Sequence, residues 1–152
     1  MTRTRTMVAD SQTITPQTVT QTELYSWDKK IRFVNCDLSA KNVIHKITTF
    51  PQKRMYIGST TRNLSDRVHD HCKDAMRSPS RLVCQAIREC ESIEVSTIFA
   101  APNTITRREL QGIEKAYIRD LRDRILFHLP TNEHHLIGHY LLNMNPDGRY
   151  KR

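Results

Sequence analysis

Two side chains that suit phosphate chemistry lie one helical turn apart. Arg67 and His71 are four residues apart in a segment that begins with Asn63, a good helix N-cap, and carries Leu64 and Val68 on one apolar face. Residues i and i+4 of a helix share a face, so we expect both side chains to point the same way. A guanidinium there can bind phosphate oxygens through two hydrogen bonds and stabilise charge that develops in a transition state. The alternative for these positions is a solvated, charged helix face.

A carboxylate occupies an unusual position further along the chain. Glu114 lies mid-helix among core-facing apolar residues, in a helix that begins with the capping box Thr106-x-x-Glu109. A half-buried carboxylate is costly unless it is paired with a cation or holds a metal ion. Both interpretations are open, since Lys115 and Arg119 lie close enough in sequence to pair with it.

The segments around these residues resemble the GIY-YIG nuclease family. Tyr56-Ile57-Gly58, followed by Arg67 and His71, is similar to the family's second motif and the helix after it. Val43-Ile44-His45 stands where the family has its first motif. The helix that carries Glu114 resembles the family's helix with the metal-binding glutamate.

The resemblance implies metal-dependent hydrolysis of a DNA phosphodiester by an activated water. Arg67 would stabilise charge on the attacked phosphate, and Glu114 would hold one Mg²⁺ or Mn²⁺ ion. Protons and water would be handled by His45, Tyr56 and His71. A single carboxylate binds Mg²⁺ weakly, so we expect the ion to bind well only together with DNA.

The first motif departs from the family at two positions. His45 replaces its tyrosine and Val43 replaces its glycine. A histidine has a pKa of about 6.5, so as a base at neutral pH it is at least as suitable as a phenol with a pKa of about 10. One hypothesis is that His45 acts as the base, or orients the water while Tyr56 acts. The competing hypothesis is that the substitution has weakened or abolished catalysis, which leaves an inactive DNA-binding protein with the same fold.

Further candidates for DNA contacts surround the predicted hairpin and the helix after it. Phosphate contacts by basic residues weaken as salt increases. The candidates are Lys46, Lys53, Arg54, Arg62 and Lys73. The family often has an asparagine after the glutamate helix, and either Asn143 or Asn145 could be its counterpart. Other arginines are partly matched by acids and can be explained as a solvated helix surface: Arg107, Arg108, Arg119, Arg122 and Arg124.

Charge and hydropathy narrow the class of partner. The chain has 152 residues, with 24 Lys and Arg against 16 Asp and Glu, and a formal net charge of +8. This surplus favours a polyanionic partner, with nucleic acid ahead of an anionic membrane surface. No apolar run approaches the roughly 18 to 20 residues of a membrane span, which argues against an integral membrane protein. We expect DNA as the partner, with RNA left open, and no membrane.

The sequence predicts a mixed fold with the element order ββααβα. Strands are expected at residues 42–49 and 54–59, which would form a hairpin, and at residues 93–99. Helices are expected at residues 64–76, 81–90 and 106–124. The predicted fold class is α/β (α+β), a small central antiparallel sheet flanked by helices, in agreement with the family.

The length suits one domain with tails. Residues 1–22 are rich in Thr and Gln without helical periodicity and predict a flexible tail. Residues 23–152 are expected to form a single nuclease-like domain, with a core at about residues 41–126 and a C-terminal extension at 127–152. Family members usually carry a separate DNA-binding domain, for which this length leaves no room. Specificity would then come from the tails, from a homodimer or from a partner protein.

The N-terminus lacks the apolar segment of a secretory signal, so we expect an intracellular protein, without assigning a compartment. The four cysteines show no C-x-x-C spacing and are expected to be buried, reduced thiols.

Overall fold

The computed structural model describes residues 3–7, 21–26, 29–77 and 81–144. The strands are β1 (Arg3–Met7), β2 (Gln21–Ser26), β3 (Lys29–Val34), β4 (Val43–Phe50), β5 (Arg54–Thr60) and β6 (Ser92–Ala100). The helices are α1 (Leu64–Arg77), α2 (Leu82–Glu89) and α3 (Arg107–His128), followed by a 3-10 helix (Thr131–His139).

The strands form one mixed sheet in the order β1-β2-β3-β6-β4-β5. Strands β3 and β6 run parallel, whereas the other neighbouring strands are antiparallel. The sheet was predicted to be antiparallel, and this is corrected to a mixed sheet. The reason is that β3 pairs with β6 and runs in the same direction as β6. Strand β5 lies at one edge of the sheet, and the site described below forms along that edge.

The mixed α/β class and the order ββααβα from β4 to α3 are confirmed. Local capping explains where two helices begin. The Asn63 side-chain oxygen accepts a hydrogen bond from the backbone N–H of Asp66 at 2.9 Å. Thr106 and Glu109 form the predicted capping box, with distances of 3.0 and 3.1 Å.

The N-terminal region differs from the expected flexible tail. Strand β1 and the first residues of β2 pair with each other, so residues 3–7 and 21–22 belong to the sheet. A strand gains main-chain hydrogen bonds from its neighbour in the sheet, and threonine has a high strand propensity. Residues 8–20 lie outside the described residues.

Helices cover both faces of the sheet. Successive residues of β4 point to opposite faces, so Val43 and Ile47 belong to one core and Ile44 belongs to the other. The first core packs against α1 and α2, and the second packs against α3 through residues such as Leu110 and Ile118. All four cysteines are buried thiols that form no disulfide, as expected. Within the described residues, no helix combines the length and the apolar character that crossing a bilayer requires.

Candidate active site

Two neighbouring clefts open beside the edge strand β5. The larger cleft has a volume of about 780 Å³ and the smaller cleft about 420 Å³. Tyr56, Gln111 and Glu114 line both clefts. Arg67 lines the smaller cleft. The structure therefore brings three of the predicted site residues, Tyr56, Arg67 and Glu114, together in the lining of the smaller cleft.

His45 and His71 lie behind this surface. His45 is 0% exposed and His71 is 2% exposed, and neither belongs to the lining of either cleft. The ring of His71 lies 5.4 Å from the ring of Tyr56 and 6.0 Å from the ring of His45, measured between centroids. The three rings thus lead from the cleft surface into the core, and Tyr56 is the ring nearest the clefts.

The buried histidines are held in their neutral form. Burial lowers the pKa of His45 to about 3, and the positive charge of Arg67 acts in the same direction. Burial also lowers the pKa of His71 well below its ordinary value, with smaller contributions from Arg67 and His45. Both ring nitrogens of His45, and Nε2 of His71, have no hydrogen-bond partner among the described residues. A base role for His45 stays a prediction, and it would require this ring to reach water in a cleft.

Gly58 leaves space for the rings of His45 and Tyr56. It lies opposite His45 in the β4–β5 register. A Cβ atom at position 58 would lie 2.9 Å from Cε2 of Tyr56 and 3.0 Å from Cε1 and Nε2 of His45. The register of β4 against β6 also shifts between Ile44 and His45, an irregularity that changes the direction of nearby side chains. The glycine of the sequence motif therefore permits a close approach of side chains.

Glu114 and Tyr56 are both half-buried and carry shifted pKa values. Burial raises the pKa of the Glu114 carboxyl, although Ser59 and the charge of Arg67 lower it in part. Burial also raises the pKa of the Tyr56 phenol, and Arg81, through its charge and a hydrogen bond, lowers it in part. Nearby cations therefore offset only part of the effect of burial on both groups.

The clefts hold basic residues that were interpreted from the sequence as partners of Glu114 or as a solvated helix surface, and one, Arg81, that sequence reasoning missed. The larger cleft is lined by Arg81, Lys115, Arg119 and Arg122, and the smaller cleft by Arg107. On α3, the cleft residues Arg107, Gln111, Lys115, Arg119 and Arg122 follow one another at intervals of three or four residues, so they share a face of the helix with Glu114. This spacing was the sequence signal that could have placed these residues beside Glu114. Arg81 precedes α2 and had no such signal.

The basic residues predicted around the hairpin take different positions. Arg62 lines the smaller cleft and pairs with Asp70. The Arg54 side chain donates a hydrogen bond from Nε to the carbonyl of His139 at 3.0 Å, which ties β5 to the 3-10 helix. Lys46, Lys53 and Lys73 lie outside the linings of both clefts. A role of these residues in DNA binding stays a prediction.

Asn143 is placed at the site, whereas Asn145 lies outside the described residues. The Asn143 side chain accepts a hydrogen bond from the Ile57 N–H at 2.8 Å and donates one to the Ile57 carbonyl at 2.7 Å. Just before it, the backbone of Tyr140 and Leu142 bonds to both backbone groups of Met55. The C-terminal segment therefore covers the edge of β5 up to Ile57.

We expect Asn143→Ala to destabilise the protein by about 2 to 3 kcal/mol, because it leaves two buried backbone groups of Ile57 without partners. Urea denaturation followed by circular dichroism measures this change. The control is Asn103→Ala, since Asn103 is exposed in a turn. Equal denaturation midpoints for the two variants would contradict the assigned role of Asn143.

Comparisons of this chain with protein-family models, with curated proteins and with solved structures find no match. The interpretation of the clefts therefore depends on the chemistry of their own residues.

The donor groups at the clefts limit which metal ion they could hold. Within the described residues, no group of three or more His, Cys, Asp or Glu side chains is arranged to hold a metal. Glu114 is the acidic residue of both cleft linings, and Ser59 lies beside it. One carboxylate fits a Mg²⁺ ion that keeps several waters and takes further oxygen ligands from a substrate phosphate. Mn²⁺ accepts the same oxygen ligands.

Proposed function

We propose that this protein is a divalent-metal-dependent endonuclease that hydrolyses phosphodiester bonds in DNA, with a site of the GIY-YIG type. One observation carries the proposal: a carboxylate, a phenol and a guanidinium from three separate elements line one concave, basic surface. Glu114 comes from α3, Tyr56 from β5 and Arg67 from α1. These are the residues to which the motif resemblance assigns metal binding, water positioning and phosphate binding.

Each group has a role that its position supports. The Arg67 guanidinium would hold a non-bridging oxygen of the attacked phosphate and stabilise the charge that develops there. The Glu114 carboxylate would hold the Mg²⁺ or Mn²⁺ ion together with waters and the DNA phosphate. When bound, such an ion supplies Lewis-acid stabilisation of the phosphate oxygens. The positive charges of Arg67 and Lys115 keep the half-buried carboxylate from being isolated.

Tyr56 is the best candidate to orient the attacking water. Its phenol belongs to both cleft linings, whereas His45 and His71 are buried behind it. Burial raises the pKa of the Tyr56 phenol, with nearby Arg81 and Arg67 only partly offsetting it, so the neutral phenol would orient the water through hydrogen bonds. His71, whose ring contacts Tyr56 edge to face, would fix the orientation of the phenol.

The second candidate function is DNA binding without cleavage. The observation that favours it is the complete burial of His45 at the position of the family's first tyrosine. In that case no second proton-transferring group would reach the clefts from β4. The arginines that line the clefts would still bind phosphates.

Cleavage of supercoiled plasmid separates the two functions. We expect nicking with Mg²⁺ or Mn²⁺ that stops when EDTA is added. Arg67→Ala should lower the nicking rate about 100-fold, a typical loss when one charge-stabilising donor is removed. Arg77→Ala is the matched control, because Arg77 is an exposed arginine of the same helix. Tight, salt-sensitive DNA binding without cleavage under either metal would refute the enzyme and support the inactive binding protein.

A further inference from the structure

The larger cleft carries more positive charge than hydrolysis at one phosphate requires. Arg81, Lys115, Arg119 and Arg122 line it, and Glu114 is the one acidic residue of its lining. Arg122 bonds to Asp123, its neighbour in sequence, while Arg119 has no ion-pair partner among the described side chains. A concave surface with this charge is suited to phosphate groups of a bound ligand.

The same cleft also has an apolar floor. Leu82, Val83, Ile118 and Leu142 contribute to it, and the ring of Tyr56 lies at its side. A volume of about 780 Å³ is within the range of small-molecule sites. Cations at the rim and apolar side chains at the floor fit a nucleotide, whose base packs on apolar or aromatic side chains while its phosphate faces cations.

The smaller cleft differs in its lining. Arg62, Arg67 and Arg107 provide its charge, and Leu110 is the one aliphatic residue of its lining. The two clefts meet at Tyr56, Gln111 and Glu114. A DNA strand that crosses Glu114 would therefore have phosphate-binding cations on both sides, but an apolar floor on one side only.

We propose that the larger cleft binds one unpaired nucleotide next to the phosphate at Glu114. The base packs on the apolar floor, and Arg81, Arg119 and Arg122 hold the adjacent phosphate. A base inside a duplex reaches such a floor only by leaving its stack. The substrate class is therefore DNA with a single-stranded segment beside the cleaved bond, and the position of that bond rests on the proposed function.

Binding measured without cleavage tests this site. A Glu114→Gln protein is titrated in EDTA against three fluorescent DNAs: a single strand, a duplex with a single-stranded overhang and a blunt duplex. We expect the two DNAs with unpaired nucleotides to bind about 10-fold tighter than the blunt duplex, because stacking an unpaired base contributes about 1 to 3 kcal/mol.

The second part of the test removes positive charge from the larger cleft. Adding Arg119→Gln and Arg122→Gln should weaken binding of the two DNAs with unpaired nucleotides and so reduce their advantage over the blunt duplex, because the phosphate beside the stacked base loses its cations. It should also reduce the slope of log K against log salt on the single strand by about 1.4, for two lost phosphate contacts. The control adds Arg108→Gln and Arg124→Gln, which remove the same charge from exposed positions of α3 outside both linings. Thermal melts verify folding of each variant.

Equal affinity of the cleft variant and its control, or tightest binding of the blunt duplex, would overturn the proposal. The proposed hydrolysis and the proposed nucleotide site can fail independently of each other. If wild-type protein cuts no DNA with metal while the cleft variant shows a reduced preference for unpaired DNA, the nucleotide site stands and the endonuclease does not. If the wild-type protein cuts blunt duplex as fast as overhang DNA, the nucleotide site is wrong and the endonuclease stands.

Discussion

Replacement of Glu114 by glutamine is expected to lower metal-dependent DNA cleavage by about 1,000-fold, since loss of the metal's contribution raises the barrier by several kcal/mol. Glutamine has nearly the same volume, so the packing of α3 against β5 should be kept. It removes the negative charge at the meeting point of both clefts. DNA binding should be equal or slightly tighter, because the lost charge repels phosphates.

The control for this variant lies on the same helix. Glu109→Gln removes one carboxylate at the start of α3, outside both cleft linings, and glutamine can still serve in the capping box. Single-turnover cleavage of a labelled DNA compares the two variants over a range of Mg²⁺ concentrations. Loss of activity that is equal in both, or activity of Glu114→Gln that returns to the wild-type rate without added metal, would contradict the role of Glu114.

The free energy of unfolding is expected to fall as the pH is lowered below about 6.5, the ordinary pKa of a histidine. His45 is buried with a folded-state pKa of about 3, and the pKa of His71 is lowered too. Between these pKa values the unfolded chain binds protons that the folded chain does not. Stability therefore rises with pH in this window and is lost as the pH falls.

For His45 alone the loss approaches about 1.36 kcal/mol per pH unit below pH 6.5 and amounts to somewhat under ~2 kcal/mol between pH 6.5 and pH 5.0. His71 adds to it in the same direction. Urea denaturation at several pH values measures the slope. His45→Gln should reduce the number of protons taken up on unfolding by about one, which makes the slope shallower whatever the stability of the variant at pH 7. His128→Gln serves as the matched control, since His128 is exposed. An unchanged slope in His45→Gln would show that the ring titrates normally.

Local patterns predicted the helices and the residues on them well. The start of α1 follows from Asn63 and its bond to Asp66, and the start of α3 follows from the Thr106 capping box. These signals act over three residues and need no tertiary contact. The motif spacing also selected Tyr56, Arg67 and Glu114, which the structure brings together at the clefts.

Longer-range relations were beyond local patterns. The parallel pairing of β3 with β6 joins Ile31 to Ile93, far apart in sequence. Asn143 covers Ile57 across a separation of 86 residues. Arg81 lines the larger cleft because α2 packs beside α1. The sequence pattern within α2 does not predict this packing. Such pairings depend on which elements share a face of the sheet.

The order of amino acids thus determined the chemical groups and their spacing within each element: a net charge of +8, a guanidinium and an imidazole one helical turn apart, and a carboxylate within an amphipathic helix. Only the tertiary structure determined which of the candidate side chains are exposed to solvent. His45 lies on central strand β4, beneath α1, and is sealed in the core, while Tyr56 on edge strand β5 reaches both clefts. The physical reason is that exposure, and with it the pKa of each group, depends on neighbours that the fold brings from distant parts of the chain.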